Sequence, residues 1–259
     1  MILDYKGINV FYTDQGKGEA VVLLHGFLEN SKMWQPFMPS LAKNYRVISI
    51  DLLGHGETAC LGYIHSMELM AEAVDVVLKH LKIRRSIFIC HSMGGYVVLA
   101  FAEKNPEGVL GLCLANSTAK EDSKERKQNR DRAINVVKQN HKSFIQIAIL
   151  NLFRPKNRTI FFDKIQVVKE EALKMPLQGI VAALEGMKIR PNREHILQNT
   201  AYKNLIIISK KDPVLNYETL IKEAQNAGVK VAEFPDGHMS YIENECLFLL
   251  NIMHFIENI

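Results

Sequence analysis

The sequence predicts an α/β fold: a mostly parallel eight-stranded sheet flanked by helices, interrupted by an all-helical insertion. Short apolar runs without strict alternation recur along the chain, the pattern of strands buried on both faces. Amphipathic segments of helical length separate them, which is the rhythm of βαβ crossovers. Between residues 115 and 204 the strand signal stops, and this gap places the insertion.

Taken in order, residues 1–14 read as a hairpin of two short strands turning at Lys6-Gly7. Parallel strands are expected at 20–24, 45–50, 86–90 and 109–115, with helices over 67–81 and 94–103 as crossovers. After the gap the alternation resumes with strand 205–209, helix 218–227, strand 229–234 and helix 241–259. The insertion opens on a mixed-charge run, 120–132, which reads as a solvated helix face. It continues through the apolar stretch 144–153, a helix over 164–174 and another ending near Lys188. The predicted organisation is a discontinuous core, 1–116 and 196–259, carrying an inserted segment, 117–195.

With 259 residues, 47% hydrophobic and 23% charged, the chain has the composition of a globular protein with a sizeable core. Disorder, collagen and a disulfide-stapled miniprotein are excluded. The longest apolar stretches, 96–102 and 246–250, fall short of the ~18 residues a membrane span requires. The N-terminus shows neither a basic region nor an apolar stretch with a small-residue cleavage site. Cys60, Cys90, Cys113 and Cys246 have no C-x-x-C spacing, so reduced thiols and a cytoplasmic location are expected. The net charge of +4 is unevenly spread: residues 117–195 hold 17 Lys and Arg against 9 Asp and Glu. Both signs interleave there, which gives nucleic-acid binding little support.

Strand 86–90 runs directly into His91-Ser92-Met93-Gly94-Gly95 and a helix. A strand–turn–helix of this kind can hold a serine on a sharp elbow with its hydroxyl exposed, while the glycines let the helix pack on the strand. Helix capping by Ser92 is the bland alternative. A serine hydroxyl is a poor nucleophile until a base takes its proton, and that base needs an acceptor to fix its tautomer. Asp212 and His238 stand in loops after strands 205–209 and 229–234, at the edge where parallel sheets bind ligands.

The chain order Ser92, Asp212, His238 resembles that of the α/β-hydrolase superfamily. Two further motifs carry the resemblance, which covers essentially the whole chain. Leu23-Leu24-His25-Gly26-Phe27 is similar to the family's H-G motif after its third strand, and 51–58, Asp-Leu-Leu-Gly-His-Gly-Glu-Thr, to its D-x-x-G-x-G-x-S loop. Two departures stand out: Cys90 occupies the first glycine of G-x-S-x-G, and Thr58 replaces the loop serine. The resemblance implies Ser92 as nucleophile, His238 as base, Asp212 as its partner, and an oxyanion hole from the backbone N–H groups of Phe27 and Met93. It also implies that the inserted segment, 117–195, is a helical cap.

His25 is expected to orient the oxyanion loop and His91 to shape the pocket or pack. His55, His65, His80, His141, His195 and His254 match no functional position. No zinc spacing, Walker loop or G-x-G-x-x-G occurs, so neither a metal nor a cofactor is expected. The expected activity is cofactor-independent hydrolysis of a small-molecule carboxylic ester through an acyl-enzyme, a thioester or lactone being variants. Two enzymatic alternatives use the same triad: a carbon–carbon bond hydrolase, and a lyase resembling the pyruvate-eliminating synthase of the menaquinone pathway. Arg126, Arg130, Arg132, Arg154 and Arg158 of the basic cap keep the latter open. A slow-turnover ligand sensor is the non-enzymatic alternative. The apolar stretch 144–153 either roofs an acyl pocket or packs cap helices together.

Overall fold

The computed structural model describes residues 1–199 and 201–259. Eight strands form one sheet: β1 Ile2–Tyr5, β2 Ile8–Gly16, β3 Ala20–Leu24, β4 Arg46–Ile50, β5 Ser86–His91, β6 Val109–Ala115, β7 Lys203–Ser209 and β8 Lys230–Phe234. Their spatial order is β1-β2-β4-β3-β5-β6-β7-β8. The pairs β1/β2 and β2/β4 are antiparallel and every other pair is parallel. The hairpin turns at Lys6 and Gly7, whose φ angles of +53° and +80° match the tight turn their spacing predicts.

Every residue of β3 and β5 is buried, as the unbroken apolar runs require of central strands covered on both faces. The helices are α1 Met38–Leu41, α2 Met67–His80, α3 Met93–Lys104, α4 Lys124–Gln139, α5 His141–Leu150, α6 Phe162–Ala172, α7 Leu177–Ile189, α8 Glu194–Leu197, α9 Tyr217–Ala227, α10 Ser240–Glu243 and α11 Glu245–Glu257. Local chemistry sets several boundaries. Ser66, Ser123 and Asn216 cap α2, α4 and α9 by accepting from an amide three residues on. Gly228, with φ +65°, ends α9 in the left-handed conformation.

Helices α4 to α8 fill the interval between β6 and β7 where the strand signal stops. The single C-terminal helix expected over 241–259 is instead two. Asn244 sits at φ −139° between α10 and α11, and its side-chain amide donates to Asp236 at 2.7 Å. The same amide also donates to the Glu243 carbonyl, a local side-chain-to-backbone bond that competes with helical geometry. Among the described residues, no helix is long and apolar enough to cross a membrane.

Candidate active site

Ser92 is the single residue between β5 and α3, held at φ +48° and ψ −113°. Its amide donates to Ala115 O at 2.9 Å, and its carbonyl accepts from the Ser117 hydroxyl at 2.7 Å and from Gly95 N at 2.9 Å. These bonds tie the turn to the adjacent strand β6 and hold a conformation that an L residue adopts only under constraint. Gly94 is required for the approach: a Cβ there would lie 2.6 Å from the Leu24 carbonyl oxygen of β3. Cys90, in place of the usual glycine, is fully buried, and burial pushes its thiol well above its ordinary value. It therefore packs as a small apolar residue and offers no thiolate.

The structure brings the three separated residues together. His238 Nε2 lies 2.9 Å from the Ser92 hydroxyl, and His238 Nδ1 lies 2.8 Å from Asp212 Oδ2. With Nδ1–H donating to the carboxylate, Nε2 is left to accept from the serine hydroxyl. Burial raises the Asp212 carboxyl, but His238 beside it and the amides of Leu215 and Val214 outweigh this and hold it below its usual value. Those amides donate to Oδ1 at 3.0 and 2.7 Å, while Asn116 Nδ2 donates to Oδ2 at 3.0 Å. Asn116 was not identified from sequence. It follows β6 at φ +48°, and its own carbonyl accepts from the Ser240 hydroxyl at 2.5 Å.

Neither the Phe27 amide nor the Met93 amide donates to a protein acceptor among the described residues. His25, fully buried, fixes the loop bearing Phe27. Its Nε2 accepts from Leu52 N at 2.9 Å, so Nδ1 carries the proton and donates to Gly26 O at 2.8 Å. This is the orienting position expected of it. Asp51 of the fourth-strand loop accepts from Ser31 N at 2.7 Å and Glu57 N at 2.9 Å, which makes it a tie between loops.

Beside Ser92 and His238 lies a cavity of about 100 Å³ whose wall includes Phe27, Tyr96, Ala148, Leu152, Met187 and Val214. Of the apolar stretch 144–153, Ala148 and Leu152 face this cavity, Ile145 and Ile149 pack in the core, and Ile147 is exposed. The stretch thus both lines the cavity and packs in the core. Most of 120–132 is exposed, as a solvated face requires, but Asp122 is buried and Arg126 and Arg130 reach the cavity wall. Asp122, with a fully buried side chain, draws them inward. Arg126 and Arg130 are four apart on α4 and so share a face, whereas Asp122 precedes the helix and its extended cap Ser123 and is brought to them by the loop.

A family model described as alpha/beta hydrolase fold matches residues 19–245. The chain belongs to the alpha/beta hydrolase fold family. Among solved structures, a thermophilic esterase from Thermogutta terrifontis with malate bound is similar at 28% identity and a TM-score of 0.90, over 99% of this chain and 96% of that one. Bifunctional epoxide hydrolase 2 from Rattus norvegicus is 33% identical over 114 residues, 43% of this chain and 21% of the relative. A dihydrolipoyllysine-residue acetyltransferase component of an acetoin cleaving system from Pseudomonas putida is 29% identical over 237 residues, 87% of this chain and 60% of the relative. The chain therefore spans less than two thirds of the length of these curated relatives. In this alpha/beta hydrolase the clustered serine, histidine and aspartate lie at the carboxyl ends of β5, β8 and β7 respectively.

Proposed function

We propose that this alpha/beta hydrolase cleaves a carboxylic ester with a short acyl chain through a serine acyl-enzyme. The observation that carries the reading is the unbroken hydrogen-bonded chain from Ser92 through His238 to Asp212. Ser92 Oγ attacks the ester carbonyl while His238 Nε2 takes its proton. The amides of Phe27 and Met93 receive the oxyanion, each such donor contributing roughly 2.7–4 kcal/mol to the barrier reduction. His238 then gives the proton to the departing alkoxide, and Asp212 stabilises the imidazolium in between. Water repeats the cycle on the acyl-enzyme, releasing the acid and restoring Ser92. Segment 117–195 acts as the cap, and the cavity of about 100 Å³ beneath it favours small acyl groups. The similarity to the Thermogutta terrifontis esterase supports an ester substrate.

Turnover of p-nitrophenyl esters from acetyl to dodecanoyl, measured beside Ser92→Ala, tests this. Activity should peak at the short end and fall at least a thousandfold in the variant, removal of a triad serine costing up to about a millionfold. Retained activity in a folded Ser92→Ala protein would sink the assignment.

A further inference from the structure

Three guanidinium groups converge on one carboxylate at the edge of the cavity. Arg126 Nε lies 3.2 Å and Arg190 Nη1 2.8 Å from Asp122 Oδ1, and Arg130 pairs with Oδ2. Burial raises the Asp122 carboxyl, but Arg130, Arg190 and Arg126 outweigh it and keep the group ionised. One negative charge against three positive ones leaves an excess of two. Asp122 has no exposed side-chain surface, and Arg190 and Arg130 are only 3% and 13% exposed, so water screens their part of that excess weakly; Arg126, at 34%, is partly hydrated.

The uncompensated charge faces the candidate active site. Arg126 and Arg130 line the same cavity as Ser92 and His238. Arg126 spends Nε on Asp122 and Nη1 on Val214 O at 2.8 Å, and its Nη2 has no protein acceptor among the described residues. Arg130 spends Nε and Nη2 on Asp122, and its Nη1 likewise has none. Behind them Arg190 stacks over the Tyr96 ring at 4.0 Å, and its Nε is buried without a partner. The only carboxylate among the cavity-lining residues is that of Glu29, which is already engaged by Gly26 N, His91 and Tyr241. No acidic group of the wall is left to neutralise the two arginines.

Guanidinium donors of this kind suit a carboxylate, which accepts from two N–H groups at once. The small cavity leaves only a few bonds between the reacting carbonyl and such an anion. We infer that the substrate of this site is an anionic ester, one carrying a carboxylate within a few bonds of the scissile carbonyl, held by Arg126 and Arg130. The inference rests on the hydrolase reading for its chemistry, which is unchanged: the ester C–O bond breaks, water adds, and the second carboxylate is a spectator.

Two matched pairs test it by acid release: monoethyl glutarate against ethyl pentanoate, and O-butanoyl glycolate against propyl butanoate. In at least one pair the anionic ester should have the higher kcat/KM, by about tenfold to a hundredfold, the range of a charge-assisted hydrogen bond. Arg126→Gln and Arg130→Gln should bring that ratio toward one, and 0.5 M NaCl should shrink it in the wild type, since at about that salt the screening length is only a few ångströms. Turnover of the neutral esters with no charge preference in either pair overturns the inference and leaves the hydrolase reading intact. If no ester is turned over, the hydrolase reading fails, and calorimetric titration of Ser92→Ala with glutarate decides the anion site alone. Binding that Arg126→Gln weakens by about tenfold supports the site; absence of binding overturns it.

Discussion

Immediately before Ser92, His91 has both ring nitrogens facing acceptors: Nδ1 lies 2.8 Å from Glu29 Oε2 and Nε2 lies 3.0 Å from the His238 carbonyl. A neutral imidazole carries one N–H, so satisfying both bonds requires the imidazolium. Burial works against that charge, but the adjacent Glu29 carboxylate outweighs it and raises His91 above its usual 6.5. Glu29 is pushed up by burial in turn, yet His91 and the Gly26 amide hold it below its usual value. The pair thus braces two parts of the site, the loop bearing Phe27 and the backbone of His238. Because the folded state raises His91, its contribution to stability is complete below pH 6.5 and is lost as pH rises through the folded value. Buried His25, His55 and His65 are lowered by burial, so they have the opposite sign and destabilise the fold as pH falls below 6.5. Comparing wild type with His91→Gln cancels His55 and His65, and leaves His25 only through the repulsion His91 exerts on it. The stability gap between the two, from urea melts, should be widest near pH 6 and narrow by pH 9. A gap independent of pH would mean that His91 is neutral in the fold. Glu29→Ala, which strands a buried cation, should cost about 3–5 kcal/mol.

At the level of elements, the join of β5 to α3 depends on two glycines. A Cβ at Gly94 meets the Leu24 carbonyl oxygen at 2.6 Å, and one at Gly95 runs into the Ser117 side chain. Backbone cannot move aside as a flexible side chain can, so Gly94→Ala must shift α3 away from β3. The expected cost is about 1–3 kcal/mol, with a fall in kcat because the Met93 amide moves with the helix. Urea melts and ester turnover measure the two; no change in either would refute this packing. This join was legible in the sequence because strand, serine and glycines are contiguous. The strands were legible for a similar reason, since each apolar run is its own signal, and β3 and β6 fall where expected. Features set by distant partners were not. Asn244, between the last two helices, is bound by Asp236, and Asn116 matters only because Asp212 and Ser240 reach it from far along the chain. Mixed charge over 120–132 suggested solvent, and most of that run is exposed; what it did not show is that Arg190, about sixty residues later, helps bury Asp122.

Across the whole molecule, the inserted helices are fastened to the sheet layer at their root, at their far end and between, where Glu171 of α6 accepts from Asn30 and Lys32 and Ala182 O of α7 accepts from His65 N at 3.0 Å. At the root, Arg193 N donates to Ala119 O at 2.7 Å, and Glu223 of α9 accepts from Ala119 N at 2.6 Å and from the Thr118 hydroxyl at 2.5 Å. The Arg193 guanidinium, 3% exposed, pairs with Glu68 of α2 at 2.6 Å and Glu103 of α3 at 2.9 Å. At the far end, His238 N donates to Leu152 O at 3.0 Å, and Arg154 pairs with Asp236 at 2.8 Å. Glu243 accepts there from Arg154 N at 3.0 Å and Asn157 Nδ2 at 2.9 Å. The root and far attachments differ in what they hold. The far one joins the segment after α5 to the loop carrying His238, so weakening it should disturb the reacting geometry. The root ties the ends of the insertion to α2, α3 and α9. Arg193→Ala removes the root ion pairs, but Glu68 and Glu103 are 48% and 42% exposed and can rehydrate, which limits the global loss to about 1–2 kcal/mol. Hydrogen exchange separates local from global loosening. In Arg193→Ala, amides of α4 to α7 should exchange faster while those of β3, β5 and β6 keep their protection. Equal acceleration in helices and strands would mean that insertion and sheet open as one cooperative unit, with Arg193 serving the whole fold.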